Sequence, residues 1–202
     1  MHFSILFLLI GLYACGQQSG NKIHPLDPRA KQLNDSAMFV AMQTGSYGQA
    51  IELLDQATRI DSNYLTAYGN KLIFQLELKK FEEALITANN LIRINPDAPE
   101  HFANFGMIYE CKGDTVLSKK FFTQAAKRYD IILDTMNPAN KDYDLLLMNK
   151  AINLVLVGEQ QKGNEILQEL YIKQKDETNK QLITLFINKS KQEILNYLLQ
   201  TN

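Results

Sequence analysis

Apolar positions recur along most of the chain with the spacing of an α-helix. From residue 31 to the end they return every three or four residues, and no strict apolar–polar alternation persists. Gly, Pro, Asn and Asp cluster between these stretches, where they favour turns. The pattern therefore predicts an all-α chain of helices joined by short loops.

A motif of small and apolar residues repeats at a spacing of 34 residues. Its small residue is Ala50 in the first copy, Ala84 in the second and Ser118 in the third. Small side chains at this position let the two helices of a unit approach closely, and a repeat of this period indicates stacked supersecondary units. The three copies occupy residues 47–57, 81–91 and 115–125.

This pattern resembles the tetratricopeptide repeat, a 34-residue helix–turn–helix unit. Gly106 and Tyr109 in the third copy, and Pro96 at the end of the second, add to the resemblance. It implies an all-α, tetratricopeptide-like solenoid of antiparallel helix pairs, with about four repeats and C-terminal capping helices. We place the repeats at 31–64, 65–98, 99–132 and 144–177, and the cap at 178–202.

The fourth repeat starts 45 residues after the third, so eleven residues are inserted between them. We expect a lengthened second helix running through Tyr129 to Leu133, followed by a loop at Asn137 to Asn140. In the fourth repeat Gly163 replaces the usual Ala. Near the C-terminus, Ser190-x-x-Glu193 before an apolar pair is a capping-box pattern and predicts the start of a last helix.

The N-terminus has a different pattern. Residues 1–14 contain no Asp, Glu, Lys or Arg, and their apolar run is too short to span a bilayer but has the length of a signal-peptide core. A buried N-terminal helix is the alternative. Leu12-Tyr13-Ala14-Cys15 resembles the lipobox of bacterial lipoproteins. The resemblance implies cleavage before Cys15, then attachment of diacylglycerol to Cys15 and of an acyl chain to its new amino group, with fatty acids such as palmitate.

Residues 15–30 then lack apolar periodicity and contain Gly, Ser and Pro, so they predict a flexible tether. Together with the lipobox, this predicts a protein that is lipid-anchored in the bacterial cell envelope, with its domain facing the periplasm.

The charge balance argues against nucleic-acid binding, because 21 basic and 22 acidic residues leave a net charge of −1. Catalytic, phosphate-binding and metal-binding motifs are absent from the sequence, so we predict no catalytic residue, metal or cofactor. For Cys111, the second cysteine, packing on a helix is one interpretation and a reactive thiol the other.

The resemblance also implies a binding groove lined by the first helix of each repeat. In that family an Asn at the sixth position often bonds the ligand backbone; here the position holds Ser36, Asn70, Asn104 and Asn149. An Asn that bonds the neighbouring helix or water is the alternative. The lysine–arginine clamp for a C-terminal carboxylate has no counterpart, because its positions hold Asp35, Phe39, Ile73 and Glu100.

Apolar residues dominate the groove positions, which suggests that an amphipathic helix covers them, either a partner's or the chain's own C-terminal segment. The sequence thus predicts a membrane-anchored protein–protein interaction module with an unidentified protein or peptide partner. The alternative is an accessory ligand- or substrate-handling protein, or an enzyme whose site is assembled across helices. The apolar positions are Phe39, Met42, Ile73, Leu76, Met107, Met148, Ile152, Val155 and Leu156.

Overall fold

The structure, a computed structural model, describes residues 25–199. The predicted signal sequence, Cys15 and most of the predicted tether lie outside the described residues, as do the last three residues of the predicted cap. Within residues 25–199 the chain is entirely helical apart from its loops, and the predicted all-α fold is confirmed. No helix of this part is long and apolar enough to cross a membrane.

Ten helices make up residues 25–199, and short loops connect most of them. They are α1 (Pro28–Thr44), α2 (Tyr47–Ile60), α3 (Leu65–Glu77), α4 (Phe81–Ile94), α5 (Pro99–Cys111), α6 (Thr115–Thr135), α7 (Tyr143–Val157), α8 (Gln160–Lys173), α9 (Glu177–Thr184) and α10 (Lys191–Leu199).

Helix α1 begins inside the segment predicted as tether. The Asp27 carboxylate accepts a hydrogen bond from the Arg29 amide at 2.8 Å, and Pro28 occupies the first helical turn. An Asp cap followed by Pro is a strong helix start, because the cap satisfies an amide and Pro needs no partner there. Residues 28–30 are therefore helical, and the capping signal outweighs the Pro residues that suggested a loop.

The described residues divide into two compact units, 25–101 and 102–199. In the first unit, consecutive helices from α1 to α4 pack against one another. The rings of Tyr47 and Phe74 stack with centroids 5.2 Å apart, and the Arg93 guanidinium donates to the Ser62 carbonyl at 2.6 Å. Small residues dominate this core: Ala30, Ala37, Ala41, Ala50, Ala57 and Ala67 are buried together with Leu54 and Phe74.

In the second unit, α7 packs against both α6 and α8. Helix α6 is 21 residues long and ends before a loop at residues 136–142, so the inserted residues form the predicted longer helix and loop. Tyr129 and Leu133 are buried, and Lys150 on α7 pairs with Asp130 at 2.5 Å. These contacts fix the extra turns of α6 against the unit.

Two glycines mark the closest helix contacts of the second unit. A Cβ on Gly106 would lie 2.6 Å from the Phe122 ring, and one on Gly163 would lie 2.6 Å from both the Ala151 carbonyl oxygen and the Val155 side chain. These separations are too short for carbon atoms. The usual Ala is therefore missing at position 163 because α7 and α8 approach too closely for a methyl group.

We expect Gly163→Ala to lower the free energy of unfolding by about 1–3 kcal/mol, because the methyl group must displace backbone on α7. Gly48→Ala is the matched control: Gly48 also lies in a helix, and a methyl carbon added there would meet nothing within 4 Å. Its substitution is expected to leave stability unchanged or raise it by up to about 1 kcal/mol. Urea unfolding followed by circular dichroism measures both, and equal effects would contradict the prediction.

Candidate interaction surface

In the first unit, the first helices of two successive repeats are joined by a buried amide pair. Asn70 Nδ2 on α3 donates to Asn34 Oδ1 on α1 at 2.7 Å. Both side chains are almost fully buried. Asn70 thus bonds a neighbouring helix. This is the alternative to the predicted role of Asn70 in binding the ligand backbone. Its Oδ1 is buried without a hydrogen-bond partner within residues 25–199.

The apolar positions predicted for the groove are accessible in this unit. Phe39 is 65% exposed and Met42 is 39% exposed on α1. Ile73 and Leu76, which occupy the equivalent positions on α3, are half-buried, and Ile73 packs against the core of the unit. These four residues are called the α1–α3 patch below.

Phe39 borders a cavity whose lining residues all lie on α1. The cavity has a volume of about 450 Å³, and Ser36 also lines it. The Ser36 hydroxyl donates to the Gln32 carbonyl of its own helix at 2.8 Å, so it can still accept a hydrogen bond from outside. The first unit therefore presents both apolar and polar groups from the predicted set.

In the second unit the predicted groove residues are buried, so they are not open to a partner there. Met107 and Ile152 are 7% and 6% exposed. Asn149 is also buried, and Asn104 is half-buried. The periodicity of these residues correctly marked an apolar helix face, but that face belongs to the core of the unit. The other buried members are Met148, Val155 and Leu156.

The C-terminal helix α10 packs against α7, which carries most of these buried residues. Its own apolar face, Ile194, Leu195 and Leu198, is buried. Of the two occupants considered for the apolar stripe, the chain's own C-terminal segment is therefore the one that lies on α7. Burial of these three side chains stabilises the docked helix by a few kcal/mol.

Polar contacts fix where α10 begins. The Ser190 amide donates to Glu193 Oε2 at 2.8 Å, and the Glu193 amide donates to Ser190 Oγ at 3.2 Å, which confirms the predicted capping box. The bond from the Ser190 amide, followed by those from Lys189 and the Ser190 hydroxyl, lowers the pKa of Glu193 to about 2. The cap is therefore charged at neutral pH.

The contact between α10 and α5 could not be found from sequence. Lys191 Nζ lies 2.8 Å from Glu110 Oε2, which also accepts the Ser118 hydroxyl at 2.5 Å. One carboxylate thus joins α5, α6 and α10. The lysine and the glutamate are 81 residues apart, and no local pattern predicts such a pairing.

Burial shifts the pKa values of several further titratable groups among residues 25–199. Burial lowers the pKa of His101 to about 4, so its ring is neutral at pH 7. Burial raises the pKa of Glu77, and burial together with the Glu77 charge raises the pKa of Tyr47. No group of three His, Cys, Asp or Glu side chains in residues 25–199 could hold a metal ion. Cys111 is half-buried at the end of α5.

Comparison with known proteins agrees with the repeat pattern. A family model described as a tetratricopeptide repeat matches residues 41–104, less than a third of the chain. No curated protein matches the chain. Together with the helix packing, the match confirms the predicted all-α, tetratricopeptide-like fold class. Tetratricopeptide repeats generally mediate protein–protein interactions and are typically not enzymes.

The Asn34–Asn70 bond predicts that substitutions of these two residues are energetically coupled. Asn70→Ala leaves a buried carbonyl oxygen on Asn34 without its donor, so we expect a loss of about 1–3 kcal/mol in the free energy of unfolding. Asn34→Ala should cost a similar amount. The double variant should lose less than the sum of the two, with a coupling energy of at least about 0.5 kcal/mol.

Urea titrations of the three variants measure this coupling. Asn89→Ala serves as the control, because Asn89 is exposed and donates to the Leu85 carbonyl of its own helix. That change should stay within about 0.5 kcal/mol of the parent protein. Strictly additive losses would show that the two amides stabilise the unit independently.

Proposed function

We propose that this protein is a lipid-anchored interaction module, a scaffold or adaptor in a bacterial envelope assembly, which binds a peptide or helix of a partner protein at the α1–α3 patch. The observation that carries the proposal is the exposure of Phe39 and Met42 on a first helix, together with the partial exposure of Ile73 and Leu76 at the equivalent positions of the next first helix. The family match, which begins at residue 41 and includes all of α3, supports an interaction role.

We place the partner site in the first unit because its predicted groove residues are not covered by the described part of the chain itself. In the second unit the equivalent residues Met107 and Ile152 are core, and α10 packs on α7. They are not accessible to a partner unless the unit opens. In the first unit the same repeat positions remain exposed or half-buried, so binding there needs no rearrangement.

The chemistry of the patch indicates the kind of ligand. An aromatic and a methionine side chain are typical anchors at protein interfaces, and methionine adapts to partners of different shape. An amphipathic helix would place one apolar residue per turn on such a surface. Asn70 is already bonded to Asn34 at 2.7 Å. Apolar contact therefore contributes more to this binding than hydrogen bonds from the Asn residues at the sixth repeat position do.

The anchor in this proposal is lipid on Cys15. Several acyl chains hold a protein stably at a membrane, whereas one chain alone is marginal. Helix α1 begins at Pro28, so about a dozen residues would separate the anchor from the first unit. A flexible segment of that length spans roughly 20 Å, which keeps the unit near the membrane without fixing its orientation.

Site-specific photo-crosslinking in intact cells tests the patch. A photoreactive residue at position 39 should give a protein adduct, and the additional change Ile73→Glu should remove it. Ile86 is the matched control position, because it is also 65% exposed but lies on α4. An adduct of the same mass and yield from position 86, or one that persists with Ile73→Glu, would contradict the proposed site.

Incorporation of radiolabelled palmitate tests the anchor. Cys15→Ala should abolish labelling and release the protein from the membrane fraction, because the acceptor thiol is gone. Cys111→Ala is the control and should keep the label, since that residue lies within the helical domain. Label retained by Cys15→Ala would refute the anchor, whatever the crosslinking shows.

A further inference from the structure

The second unit carries a concentrated basic surface that the proposed partner site does not use. A cavity of about 650 Å³ is lined by four lysines and by no Asp or Glu of the described residues. Three of the lysines, Lys119, Lys120 and Lys127, lie on α6 and are exposed. The fourth, Lys191, begins α10 and pairs with Glu110 at 2.8 Å. We call this surface the α6 basic cavity.

The three α6 lysines differ from their neighbours in having no carboxylate partner within residues 25–199. An adjoining cavity shares Lys127 with the first, but its other lysines are neutralised: Lys150 pairs with Asp130 and Lys162 with Glu159, each at 2.5 Å. The whole chain is nearly neutral, so this local excess does not follow from composition. These lysines give the cavity a local positive potential, which favours an anionic ligand.

Other groups in the cavity suit a peptide. Val116 is 78% exposed and Val157 half-buried, so apolar surface lies among the lysines. Thr115, Thr123 and Gln124 add hydroxyl and amide groups that can bond a peptide backbone. The nearby Asp114 is occupied in capping α6, since its carboxylate accepts from the Leu117 amide at 2.9 Å.

The spacing of the lysines sets the spacing of their partners. Lys120 and Lys127 are seven residues apart on one helix, which corresponds to about 10 Å along its axis. In an extended peptide of the polyproline II type, which has three residues per turn, residues three apart lie on the same side and are separated by about 9 Å. A concave cavity admits a chain segment, whereas a membrane surface is broad and flat.

We propose that the α6 basic cavity binds an extended acidic peptide segment of a partner protein, with carboxylates three residues apart that pair with the lysines of α6. This site lies on the second helix of a repeat and is independent of the α1–α3 patch. The two proposals can therefore fail separately.

Fluorescence anisotropy with the full-length chain tests the proposal. The probe is a fluorescein-labelled peptide in which every third residue is Glu and the others are Ser or Val. The triple variant K119Q/K120Q/K127Q should bind about tenfold more weakly, because three ion pairs are lost. Raising the salt concentration should weaken binding to the parent protein as well.

The control variant K141Q/K173Q/K175Q removes the same charge from exposed lysines elsewhere in the second unit. It should bind within about twofold of the parent protein, because those lysines lie outside the cavity. Equal weakening of the two variants would overturn the proposal, as would equal binding of a peptide with Gln in place of Glu. The double variant K120Q/K127Q is used if the triple variant misfolds. Circular dichroism compares the folding of both variants with that of the parent protein.

Two further ligands test whether a lipid surface or a nucleic acid, and not a peptide, binds at the α6 basic cavity. Vesicles of phosphatidylglycerol and phosphatidylcholine, and a single-stranded oligonucleotide, are titrated against the parent and triple variants. If either binds through the α6 lysines more tightly than the acidic peptide does, the peptide assignment is wrong. Failure of the acidic peptide to bind the parent protein at low salt would also overturn it.

Discussion

The close approach of paired helices is the constraint on which both units depend. At the equivalent repeat position the chain has Ala50, Ala84, Ser118 and Gly163, and all four are buried. A larger side chain there would push the second helix away from the first and open the core beside it. At Gly163 the approach is so close that even a methyl group would overlap the Ala151 carbonyl. The sequence varies along the helices, but this position stays small.

The helices of each unit pair closely around a buried core, so the outer faces of the helices decide what the molecule can contact. In the first unit α1 and α3 keep apolar groups accessible, and a buried amide pair joins the two helices. In the second unit the corresponding apolar residues are buried and α10 packs on α7. The same repeat thus yields an open face in one unit and a core face in the other.

The 34-residue period, the longer α6 and the capping box of α10 were all predictable, because each follows from residues close in sequence. Spacing alone could not tell that Met107 and Ile152 are core whereas Phe39 is exposed, because all three occupy the same helix face in the repeat. That difference depends on tertiary packing. The Glu110–Lys191 pair and the Asn34–Asn70 bond escaped prediction for the same reason, since each joins residues far apart in the chain.

Exposure alone does not identify an interaction site in this molecule. Ile86, Val116 and Ile172 are at least as exposed as Phe39, yet single exposed apolar residues are common on protein surfaces. Phe39 differs because Met42 on the same helix, and Ile73 and Leu76 at the equivalent positions of α3, are also accessible. Val116 differs in another way, since three lysines without carboxylate partners in residues 25–199 line the same cavity. In both cases the neighbouring groups, fixed by helix packing, make an exposed apolar side chain part of a surface that a partner could recognise.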